Sequence, residues 1–130
     1  MKTSITGLRQ VAQRTPDLSV AVPFYQDVLG LRHQATFEPP GLAFFDLGDG
    51  TRLLLDAGDD VPTALLYFAV DDIRAAAAEL ESAGVELESQ PHLIHRHDGT
   101  FDDDGVEEWM AFFRDPAGNL LALASRVAAS

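Results

Sequence analysis

The feature that constrains this chain most is a short unit that occurs in it twice. Asp17 opens a segment in which Leu18, Val22, Tyr25, Val28 and Leu29 recur at helical spacing, and Gly30 closes it. Asp72 opens a second segment, in which Ile73, Ala76, Ala77, Leu80 and Ala83 do the same before Gly84. Each aspartate can accept from a free backbone N–H of the following turn, and each glycine supplies the left-handed residue that ends a helix. From cap to glycine is thirteen positions in the first unit and twelve in the second. Any fold must therefore accommodate the same element twice.

Strand signals surround both units in the same order. Leu8 to Gln13 precedes the first helix and Leu31 to Phe37 follows it; after Glu38-Pro39-Pro40-Gly41 come Leu42 to Leu47 and Thr51 to Asp56, joined by the hairpin signal Gly48-Asp49-Gly50. Around the second helix, Ala64 to Val70 precedes and Val85 to Ser89 follows. The last two strands lie in WMAFFRDPAGNLLAL, Trp109 to Leu123, where the runs 110–113 and 120–123 flank the turn chemistry of Asp115-Pro116-Ala117-Gly118-Asn119. The sequence thus predicts an α+β fold of two βαβββ modules, about 8–56 and 64–127, with a polar connection at 57–63. Pro23 lies inside the first helical pattern and deletes a hydrogen bond, so a kink or an irregular first turn is expected there.

Composition narrows the function classes. The formal net charge of −12 argues against nucleic acid, which is bound through basic patches. An acidic surface also favours positively charged small molecules, although its plainest role is to keep the protein dispersed. The chain has no cysteine, which removes disulfides, thiolate metal sites and cysteine nucleophiles. No apolar run approaches the roughly 18 residues of a membrane span, and MKTSITGLRQ lacks a signal-peptide core, so no membrane partner and a cytoplasmic location are expected.

Asp17-Leu18, Phe24-Tyr25, Asp27-Val28-Leu29-Gly30-Leu31 and Asp115-Pro116-Ala117-Gly118-Asn119 resemble the DL…FY.DVLGL and DPxGN signatures of the vicinal oxygen chelate superfamily. This superfamily includes glyoxalases, epimerases, extradiol dioxygenases and bleomycin-resistance proteins. The resemblance runs from Leu8 to about Val127. It implies that the paired modules form curled mixed sheets around a cavity, in a homodimer whose subunits share or complete the site, with four cavity-facing ligands for a divalent metal in the family's enzymes. At those positions this chain has Gln10, Leu54, Leu66 and Ala122. Three of the four are apolar and offer no donor to a hard or borderline ion. The expectation is that the standard metal site is lost and that no cofactor is needed, with a divalent metal as the alternative.

Several residues remain as candidates for holding a small-molecule ligand. Arg52 and Asp56 share a strand face with Leu54, and Phe68 would share one with Leu66. In Pro91 to His97, PHLIHRH, an extended chain puts His95 and His97 on one face with Leu93, and His92 on the other. Such a pair can bind a transition metal or act as acid and base, while the plainer reading is a polar edge with solvated imidazoles. Asp98, Asp102, Asp103, Asp104, Glu107 and Glu108 suggest an acidic lid, and Trp109, the only tryptophan, would cover an apolar ligand or serve in core or interface. The ligand-binding set is therefore Gln10, Arg52, Asp56, Phe68, His95, His97 and Trp109, with no metal ligand and no catalytic residue assigned. Two functions follow: a metal-free binding protein of the bleomycin-resistance kind, or a lyase, isomerase or dioxygenase with an altered metal centre or histidine acid/base chemistry.

Overall fold

The computed structural model describes residues 8–96 and 105–128, and these form two compact units that divide between Ala64 and Leu65. In the first unit β1 (Gln10–Arg14) is followed by α1 (Leu18–Pro23), β2 (Arg32–Phe37), β3 (Leu42–Asp46) and β4 (Arg52–Asp56). The second repeats the order with β5 (Leu66–Ala69), α2 (Ile73–Ser82), β6 (Leu87–Arg96), β7 (Val106–Arg114) and β8 (Leu120–Ala128). The sheets are four-stranded and mixed, ordered β1-β4-β3-β2 and β5-β8-β7-β6. In each, the first strand runs parallel to the last and the other pairs are antiparallel. This is the expected βαβββ module, twice. Among the described residues no helix is long and apolar enough to cross a membrane.

Both helices start as their aspartates dictate. Asp17 accepts from the Ser19 N–H at 3.1 Å and Asp72 from that of Ala75 at 3.1 Å. Gly84, at φ 89°, closes α2: its N–H and that of Val85 donate to Glu81 and Leu80, satisfying carbonyls that the helix leaves open. The effect of Pro23 falls after it and not in the first turn. Residues Phe24–Val28 continue α1 as a π-helical turn, with the Leu29 N–H donating to the Phe24 carbonyl at 3.0 Å. The proline ring crowds the preceding turn and brings no N–H, and the wider i→i+5 spacing re-pairs the backbone beyond it.

Each helix covers one face of its own sheet. In the first unit Tyr25 packs against Phe45, ring centroids 5.8 Å apart, over buried Ala43, Leu53 and Leu55. Gln13 is also buried, and its side-chain oxygen accepts from the Thr63 hydroxyl and the Ala64 N–H, tying the segment after β4 back to β1. In the second unit Ile73, Ala77 and Leu80 of α2 cover Ala111, Phe113, Leu121 and Leu123. The last hairpin is much longer than its apolar runs suggest, because its register continues from Arg114↔Leu120 out to Val106↔Ala128. Glu107 and Glu108 consequently lie in β7 and not in a loop.

Candidate functional site

Register decides which side chains can act together, since residues directly opposite on neighbouring strands share a face. In the first unit the face away from α1 carries three rows. Gln10, Arg52 and Asp46 form one, Ala12, Leu54 and Phe44 the next, and Arg14, Asp56 and Leu42 the third. Gln10, Arg52, Leu54 and Asp56 thus stand on one face, as the alternation of β4 implies. Their charges are not paired with each other. The Arg52 guanidinium lies 5.6 Å from the centre of the Phe44 ring, an exposed cation–π contact, and Asp56 accepts from the Gly58 N–H at 2.9 Å. The middle row is apolar. Leu54 offers no donor atom to a metal ion, while the oxygen-bearing side chains of this face, Gln10, Asp46 and Asp56, stand in the rows on either side of it.

In the second unit the structure corrects the frame of β5. Ala122 stands opposite Tyr67, while Leu66 stands opposite Leu121 and Phe68 opposite Leu123. Leu66 and Phe68 therefore face α2 and belong to the core side, and Ala122 shares the open face with Tyr67. The run from Ala64 to Val70 is apolar or aromatic throughout, so no alternation could reveal its parity. Tyr67 is 54% exposed and meets Phe112 edge-on, centroids 6.5 Å apart; the His92 ring lies 6.5 Å from Phe112 on its other side. Nothing in the sequence pattern sets Tyr67 or Phe112 apart from the apolar residues around them.

The histidines are also rearranged. Strand β6 has register shifts between Ser89 and His92 and between Leu93 and His95, so His92 pairs with Met110, Leu93 with Trp109 and His95 with Glu108. An irregularity that adds a residue reverses the parity of the strand beyond it. His95 hence shares the open face with His92 and is separated from Leu93, the reverse of the extended-chain expectation. Pro91, which cannot donate to a ladder and sits on this edge strand, was the available signal. His97 and the acidic stretch at 98 and 102–104 lie outside the described residues.

Trp109 faces the helix side, opposite Leu93 and Ser125, and lines a pocket of about 470 Å³ with Asp71, Asp72, Ile73, Arg74, Glu107, Val127 and Ala128. Its indole N–H donates to Glu107 Oε1 at 3.1 Å, and Arg96 donates to Oε2 at 2.6 Å. Those two bonds, that of Arg96 first, hold the Glu107 carboxyl below the usual glutamate range. The Arg74 guanidinium lies 5.2 Å from the centre of the indole ring.

Known proteins share this architecture. A lactoylglutathione lyase from Agrobacterium tumefaciens is 26% identical, with TM-score 0.68 over 95% of this chain and 96% of that one. An integron cassette protein from the V. cholerae mobile metagenome is 20% identical, TM-score 0.72, over 96% and 98%. An antibiotic-binding protein from a Streptomyces species is 22% identical, TM-score 0.69, over 95% and 98%. Comparison with curated proteins finds no match. With two capped βαβββ units and the Asp115–Asn119 turn in place, and with the family model matching residues 7–123, the chain belongs to the Glyoxalase/Bleomycin resistance protein/Dioxygenase superfamily.

Proposed function

We propose that this protein is a metal-independent small-molecule-binding member of its superfamily, which takes a flat, largely apolar ligand against the open face of its second unit. The observation that carries this is the aromatic row in which exposed Tyr67 and His92 flank half-buried Phe112, beside Ala122, a position where the family's enzymes place a metal ligand. An exposed aromatic cluster on a sheet face is unusual unless something covers it, and aromatic rings give a large contact area at small entropic cost. Leu54 in the first unit and Ala122 in the second carry no donor atom, which supports binding without a resident ion. The antibiotic-binding protein among the similar structures supports the same reading at the level of the fold. A homodimer is part of the proposal.

The test is metal content by plasma emission together with a thermal-shift screen of planar aromatic compounds, repeated with Tyr67→Ser and Phe112→Ala. The expected result is sub-stoichiometric metal and a stabilising compound whose effect is lost in both variants. Stoichiometric metal in the purified protein would overturn the reading. Light scattering should give twice the chain mass.

A second reading, a lyase, isomerase or dioxygenase with a relocated centre, has one observation in its favour: the irregular β6 brings His92 and His95 to the same face. It requires that an added transition metal bind with a stoichiometry lost in the His92→Ala, His95→Ala double variant.

A further inference from the structure

We propose that the pocket at the start of α2 is a second binding site, separate from the open face, for a small organic cation of the alkylammonium or alkylguanidinium class, with Arg74 as its built-in competitor. The indole face of Trp109 already holds a guanidinium at 5.2 Å. Among the described residues Arg74 makes no ion pair or hydrogen bond, and it sits in the first turn of a helix, where positive charge is disfavoured. Its tie among the described residues is the ring, and a free cation can replace it there.

The indole is fixed in place by its N–H bond to Glu107, which is itself neutralised by Arg96. A ligand therefore meets a pre-oriented aromatic face and not a mobile one. Ile73 and Val127 supply apolar wall for the ligand's alkyl groups, and Asp71 lies at the rim with no partner among the described residues. An anion is the wrong occupant, because Asp72 already takes the α2 N-terminus by accepting from the Ala75 N–H, and the remaining rim charge is acidic. The chain's net charge of −12 raises the local concentration of cations.

The probes are choline, butylguanidinium and the neutral carbon isostere of choline, titrated into the full chain by calorimetry and by Trp109 emission, with sodium chloride at equal ionic strength as reference. Choline and butylguanidinium should compete for one saturable site, and the isostere should not bind. Removing the competitor in Arg74→Ala should tighten choline binding about two- to fivefold, the range of an exposed cation–π contact. Trp109→Leu should weaken it at least about tenfold, with Trp109→Phe intermediate as the folded control that keeps a ring. The proposal is overturned by equal binding of the neutral isostere, by unchanged affinity in Arg74→Ala, or by no saturable signal in either the native chain or that variant.

Discussion

Replacing Asp115 by alanine tests whether the last hairpin is held by its turn or only by its arms. Asp115 is 4% exposed, and its carboxylate accepts from the backbone N–H groups of Ala117 at 3.0 Å and Asn119 at 2.8 Å and from the Asn119 side chain at 2.9 Å. Hydrogen bonds to a carboxylate are each worth about 1.5–3 kcal/mol, but Ala117 is exposed enough for water to take over its N–H. The net cost should be about 2–4 kcal/mol. For a chain of 130 residues each kcal/mol lowers the melting temperature by about 4 °C, so the alanine variant should melt roughly 8–16 °C lower. Asp115→Asn keeps one oxygen for both backbone donors and mismatches the Asn119 amide, and should lose about 1 kcal/mol. Urea unfolding followed by circular dichroism and Trp109 emission measures both. If the alanine variant lies within about 0.5 kcal/mol of the native chain, the turn is not stabilised by this carboxylate, and if the asparagine variant is as damaged as alanine, the two backbone bonds to one oxygen are not what holds it.

Three further perturbations have expected outcomes. Asp72→Ala removes the α2 cap and orphans the Ala75 N–H, which should cost about 1 kcal/mol in a thermal melt. Phe113→Ala empties a fully buried site under α2 and should cost about 3–5 kcal/mol in urea unfolding. Glu107, held by Arg96 and Trp109 and facing Arg74, Asp71 and Asp72 across the pocket, has its folded-state protonation lowered. Its contribution to stability is therefore complete above the pH at which an unfolded-chain glutamate ionises, about 4.3, and is lost as pH falls through the lower folded value. In a pH series read by Trp109 emission, Glu107→Gln should lack that acid-side loss.

Much of the fold is legible in the sequence because its signals are local. Asp17, Asp72, Gly30 and Gly84 mark helix ends through hydrogen bonds and backbone preferences that need no distant partner, and two matching copies make a coincidence improbable. The Asp115–Asn119 turn is legible for the same reason. In β4, where charged Arg52 and Asp56 flank Leu53-Leu54-Leu55, the alternation also shows which residues share a face.

Elsewhere local signals end. In β5 every side chain is apolar or aromatic, so either face could be the core face, and only pairing with β8 turns Leu66 and Phe68 toward α2 and Tyr67 toward the open side. In β6 a register shift between Leu93 and His95 reverses parity, which puts His95 with His92, and no periodicity extends across such an irregularity. The length of β7 and β8 comes from their mutual pairing and not from their composition, since Glu107 and Glu108 look like loop residues. The seat of Arg74 on Trp109 joins residues 35 positions apart through helix-on-sheet packing, a distance over which sequence spacing carries no information. By itself, then, the sequence determined the elements, their order and their duplication, because these follow from caps, turns and patterns a few residues long. Only tertiary structure decided which side chains share each face and pocket, because strand parity and register are set by the neighbouring strand.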